Sequence, residues 1–120
     1  MFQKPEDSLR RPADIENPLY HLLRDNKIEE FNQRRAAGEP ADLSGVSLRG
    51  LDLRGLHADG LDLSNSYFRQ SNLQGLDLGS ANLRGASLHD AQISGVLFPD
   101  ELSAEEIRMS HALGTRLRYR

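Results

Sequence analysis

Residues 41–100 read ADLSG VSLRG LDLRG LHADG LDLSN SYFRQ SNLQG LDLGS ANLRG ASLHD AQISG VLFPD, twelve five-residue units without an insertion or deletion. Eleven of the twelve unit centres are large and apolar: Leu43, Leu48, Leu53, Leu63, Phe68, Leu73, Leu78, Leu83, Leu88, Ile93 and Phe98. The remaining centre is Ala58, and the residue two before each centre is small or apolar. A helix repeats every 3.6 residues and a strand every 2, so a period of five fits neither element alone. Two inward positions followed by three outward ones describe a short extended stretch and then a turn. The last outward position is Gly in seven of the twelve units, and Asn65, Asp90 and Asp100 share it. These residue types tolerate the positive φ of a sharp corner. A chain that turns after every five residues closes a square in four units, and stacked squares bury a continuous core.

This pattern resembles the pentapeptide repeat proteins, whose consensus is A-(D/N)-L-x-x, over 60 of the 120 residues. The resemblance implies an all-β solenoid with helical caps: a right-handed quadrilateral β-helix of about three coils, twenty residues to the coil. At a strand spacing of ~4.8 Å it would stand roughly 14 Å tall. Departures from consensus gather in the first coil. Leu51, Leu56 and Leu61 are larger than the usual small residue, Ala58 is smaller than the usual Leu, and the changes partly offset in volume.

A β-helix has open ends that expose core side chains and unpaired backbone, and both flanks read as covers. Residues 1–16 are charged and proline-containing, which predicts a flexible segment. Residues 17–40 predict an N-terminal helical hairpin. Asn17-Pro18 is a helix start, followed by Leu19, Leu22 and Leu23 at helical spacing. Asn26 with Glu29 resembles a capping box opening a second helix over 27–37, which carries Ile28 and Phe31 and ends at Gly38. Phe31 is expected to pack over the first coil, near Leu56 and Ala58. Residues 101–120 predict a C-terminal helix and tail. Ser103 to Glu106 forms a capping box, Leu102 and Ile107 sit at staple positions, and Met109, Ala112 and Leu113 are placed to cover the third coil. The ending RLRYR admits three readings: a frayed tail, an extended segment paired with the protein, or a basic contact for an anionic partner.

The chain carries a formal charge of −3 and no cysteine, so disulfide frameworks and thiolate metal sites are excluded. No apolar run approaches the ~20 residues that span a bilayer, and the start lacks an apolar signal core, so a cytoplasmic protein is expected. His21, His57, His89 and His111 do not fall at metal-ligand spacing, and His57 and His89 are expected as solvated surface residues on different faces. The serines lack a nucleophile elbow and the glycines recur because corners do. No catalytic residue, cofactor or metal site is expected, and the chain reads as a non-enzyme.

The outward charges remain. Asp42, Asp52, Asp62 and Asp77 precede their centres, where Asp bonds to nearby backbone at a turn or forms an anionic stripe. The second option matters because the family includes proteins that resemble duplex DNA in shape and charge and bind DNA gyrase. Yet residues 41–100 hold seven Asp, no Glu, four Arg and no Lys, whereas ~14 Å of duplex carries about eight negative charges. Arg49, Arg69 and His89 stack in one column beside the more acidic column of Asp42 and Asp62. The preferred reading is a protein-interaction or scaffold module with an unidentified protein partner. Its candidate surface is Arg49, Arg69, Asp42, Asp62 and Tyr119, without membrane or direct nucleic-acid binding. The alternative is a DNA mimic directed at gyrase or topoisomerase. A homodimer through the C-terminal segment would give Leu117 and Tyr119 partners.

The inward assignment makes a direct prediction. Leu73→Asp buries an unpaired charge and removes a contact worth ~2 kcal/mol, so the variant should not fold. Circular dichroism and solubility check this, and a folded, soluble variant would refute the assignment.

Overall fold

A computed structural model describes residues 17–120. The expectation for residues 1–16 lies outside them. Residues 41–60, 61–80 and 81–100 form three stacked layers. Parallel bridges join residues twenty apart: Asp42 to Asp62 to Asn82, Ser47 to Tyr67 to Ser87, Asp52 to Asn72 to Gln92, and Asp77 to Leu97. Each bridge is one residue long, and the described residues contain no continuous strand. The pentapeptide explains this. A chain that turns every fifth residue leaves only one residue per unit extended long enough to pair.

The pairing has a direction. The amides of a unit's centre and of its corner two residues later donate to the next layer, as in Leu48 N to Tyr67 O at 2.7 Å and Gly50 N to Arg69 O at 2.9 Å. One amide of the next layer donates back, as in Tyr67 N to Val46 O at 3.0 Å. The side chain before each centre supports the turn. Asp42, Asp52, Asp62, Asn72, Asp77 and Asn82 each accept from the amide two residues ahead, at 2.9–3.2 Å. This is the local Asx geometry that gives Asp and Asn their preference at turns. Corners at Asn65, Gln70 and Asp90 have φ of 56–58°, but Asp100 is not among the positive-φ residues, since the chain leaves the pattern at Pro99. Gly85 illustrates why a corner excludes a side chain: its φ is +74° and a Cβ there would overlap the Asn65 carboxamide.

The centres from Leu43 to Leu88, Ala58 included, are fully or almost fully buried. Ile93 and Phe98, expected in the core, are only half-buried and pack against its edge. They lie in the last layer, where no further layer covers them.

The N-terminal cover is two helices, α1 (Pro18–Arg24) and α2 (Ile28–Ala36). Asn17 caps α1, accepting from Tyr20 N at 3.2 Å, and Leu19, Tyr20, Leu22 and Leu23 are buried. The expected capping box at Asn26 is not formed. Asn26 has φ of +60° and makes the turn between the helices, while Lys27 is the N-cap of α2 without a side-chain bond. Asn tolerates left-handed φ, so the same residue type serves either role.

These helices meet the first layer through side chains that stand in for backbone. The Asn17 carboxamide donates to Asp42 O, and Tyr20 OH donates to Ser47 O at 2.7 Å. On the fourth unit, where no bridge forms between His57 and Asp77, Asn32 donates to Gly55 O and accepts from His57 N, both at 2.9 Å. Its amide thus occupies the place of a neighbouring peptide group. Arg35 adds a bond to Asp59 O at 2.7 Å. Phe31, beside Asn32 in sequence, is fully buried in the core that also contains Leu56 and Ala58.

Two substitutions separate these contributions. Phe31→Ala should cost about 3–5 kcal/mol of stability, as expected for emptying a buried aromatic site. Asn32→Ala should cost about 1–2 kcal/mol, because two hydrogen bonds are lost near solvent. Urea denaturation measures both, and an unchanged midpoint for Phe31→Ala would contradict the burial.

Candidate interaction face

The C-terminal helix α3 (Ala104–Leu113) begins at Ser103, which accepts from Glu106 N at 3.1 Å. Only half of the expected capping box forms, because the Glu106 carboxylate turns to the tail instead. It accepts from Arg118 N at 3.0 Å and from the Arg118 guanidinium at 3.1 Å. Leu102 is buried and Ile107 half-buried, whereas Ala112 and Leu113, expected over the core, are exposed. Ser110 is the buried residue of this helix.

The ending RLRYR is the extended segment paired with the protein. Leu117 is buried, accepts from Gly85 N and donates to Ala86 O, both at 2.8 Å. Tyr119 OH accepts from Leu83 N at 2.9 Å, and the Arg84 guanidinium lies 4.3 Å from the Tyr119 ring centroid. Tyr119 is therefore engaged within the chain, and the need that suggested a dimer through this segment is met internally. Sequence reasoning had no signal for this, because Leu83 and Tyr119 are linked only through the fold.

His89 also departs from expectation. Its ring is tucked beneath Gly114, where a Cβ would lie 3.4 Å away, and its Nδ1 is buried without a hydrogen-bond partner among the described residues. Its Nε2 is 3.5 Å from an Asp90 carboxylate oxygen. His57, in contrast, is exposed.

The arginines sort by what they touch. Arg54 makes two bonds to Asp52, at 2.8 and 2.9 Å, and these hold the Asp52 carboxyl below the usual range. Arg84 covers Tyr119. Arg49 and Arg69 are exposed and form no ion pair or side-chain hydrogen bond among the described residues. They occupy equivalent positions in adjacent layers, two residues beyond the bridged Ser47 and Tyr67. Tyr67 is 41% exposed, and Arg116 lies over its ring at 5.3 Å while donating to its hydroxyl. Arg116, which sequence reasoning did not select, joins this side of the molecule from the tail. The result is a face with three guanidinium groups and a half-exposed tyrosine. On the acidic side, Asp42 and Asp62 each commit an oxygen to the following turn, and bonds from Ser44 hold the Asp42 carboxyl below its usual range.

A concavity between the start of α2 and residues 52–55 is lined by Asn26, Lys27, Glu29 and Glu30 together with the paired Asp52 and Arg54. Among the described residues, no His, Cys, Asp and Glu side chains gather as a metal site, and no helix is long and apolar enough to cross a membrane.

A family model described as Pentapeptide repeats matches residues 62–98 in eight copies. The matched pentapeptide repeats lie in the second and third layers. The first layer, with Ala58 and the unbridged fourth unit, falls outside the matched residues. No curated protein matches the chain significantly.

The Glu106 contact predicts a pH response. Hydrogen bonds from Arg118, side chain first and backbone second, lower the Glu106 pKa in the folded protein. A lowered carboxyl pKa stabilises the docked tail above the ordinary glutamate value of about 4.3, and that contribution is lost as pH falls through the lower folded value. Amide exchange of Leu117 should accelerate across that window, and Glu106→Gln should remove the dependence.

Proposed function

We propose that this protein is a non-enzymatic interaction module whose three layers are coils of a right-handed quadrilateral β-helix. The parallel bridges at twenty-residue spacing support that geometry, as does the match of residues 62–98 to pentapeptide repeats. Its partner is a protein with an acidic surface. The observation that carries this reading is the pair of unpaired guanidinium groups, Arg49 and Arg69, on the face shared with Tyr67 and Arg116. Unpaired arginines beside an exposed aromatic ring suit carboxylate recognition, because guanidinium groups match carboxylates in a fork and aromatic rings add contact area. A cytoplasmic setting is consistent with the absence of cysteine. Each of Asp42, Asp52, Asp62 and Asp77 commits one oxygen to its own backbone turn, and the low count of such charges on the layers weighs against a DNA-like surface.

Retention on immobilised polyglutamate tests the face. Wild-type protein should bind and elute with salt, because exposed charges are screened as the Debye length shortens to about 8 Å at 0.15 M. Arg49→Ala with Arg69→Ala should weaken retention about fivefold, as two exposed ion pairs of ~0.5 kcal/mol would give. Unchanged retention would remove the face from the proposal. A parallel titration in a gyrase supercoiling assay should show no inhibition, and potent inhibition by a monomer would favour the DNA mimic.

A further inference from the structure

The three layers end asymmetrically. In the last layer, each unit presents two amides at its centre and corner, and one carbonyl two residues before the centre, to the space a fourth layer would fill. The C-terminal segment answers the first two units. Leu83 N donates to Tyr119 OH, Gly85 N to Leu117 O, Leu88 N to Ser110 Oγ at 2.9 Å and Asp90 N to His111 O at 3.1 Å. Ala86 O accepts from Leu117 N, and Ala91 O lies 2.9 Å from His111 Nε2. There the cover stops. Ile93 N, Gly95 N and Val96 O have no hydrogen-bond partner among the described residues. Their equivalents one layer below, Leu73 N, Gly75 N and Leu76 O, are bonded to Gln92, Ser94 and Leu97.

Apolar side chains border this gap. Ile93, Val96 and Phe98 are half-buried, and Leu97 is 61% exposed. Apolar residues on an unpaired edge form a template for another extended chain. At the equivalent positions of the first unit, Gly85 N and Ala86 O, Leu117 fills both backbone groups, so the exposed edge of the last layer accepts an added segment in this way.

We infer that residues 93–97 are a docking edge for an extended peptide segment of another protein, which adds a rung to the third unit in the parallel sense in which the layers themselves pair. The segment offers two carbonyls, two residues apart, to Ile93 N and Gly95 N, and one amide to Val96 O. Its apolar side chains cover Ile93, Val96 and Phe98. Main-chain bonds supply affinity and alternate side chains supply selectivity, as in other cases of strand addition. The site is separate from the arginine face, so the two proposals stand or fall independently.

The probe is a blocked peptide of sequence AQISGVLFPD, which places each apolar residue over its own equivalent in residues 91–100. Added to the intact protein, it should slow amide exchange at Ile93 and Gly95 and leave Leu83 and Leu88 unchanged. The same peptide with proline in place of its first leucine loses the amide that meets Val96 O, and should bind about fivefold more weakly. Leu97→Lys, a change at an exposed side chain, should leave the protein folded and weaken the peptide further. Unchanged exchange at millimolar peptide overturns the inference, as does equal binding of the proline peptide. Protection of both amides without peptide also overturns it: in a monomer it assigns the edge to another segment of this chain, and in a species of doubled mass to a second copy.

Discussion

Hydrogen bonding between layers gives this structure a polarity on which everything else depends. Where the ladder is complete, a unit sends two amides toward the C-terminal end and takes one back, so the stack is rich in carbonyls at its start and rich in amides at its finish. Backbone groups left unpaired near apolar side chains are costly or adhesive, and the flanking segments answer each end with the opposite chemistry. Asn17 and Tyr20 bring donors to the first layer. Tyr119, Ser110, Leu117 and His111 bring acceptors to the last. The helices therefore act less as lids over a core than as suppliers of the missing hydrogen-bonding groups.

That division explains which parts of the molecule a reader of the sequence can find. The five-residue period announces the layers, because every unit repeats the same local demand for an apolar centre and a tight corner. Helix starts at Asn17 and Ser103 are equally local and are readable for the same reason. The Asn32 contact with Gly55 and His57 is not, since it joins residues more than twenty positions apart and leaves no periodic trace. Tyr119 looked idle because its partner, Leu83 N, is a backbone amide with no side-chain signature. Asn26 misled for another reason: its side chain suits a cap and its backbone suits a left-handed turn, and the turn won.

Charges follow the same logic. An aspartate before a centre serves the turn first and has one oxygen committed before any partner arrives. The arginines have no such structural duty by position. Asp52 engages Arg54 and Tyr119 engages Arg84, but Arg49 and Arg69 meet neither. The candidate interaction face was thus half legible, as a column of like charge. The contribution of Arg116 and Tyr67 required the path of the tail.

The caps also fix an angular phase. Asn32 addresses the fourth unit of the first layer, while Leu117 and Tyr119 address the first unit of the last. Repeat number can therefore change freely only in whole layers of twenty residues. A single extra pentapeptide would rotate one cap a quarter of the way around the axis relative to the other, carrying Arg116 away from Tyr67 and dissolving the face they share. In this architecture, length is quantised by the bearing of the two ends and not by the repeat alone.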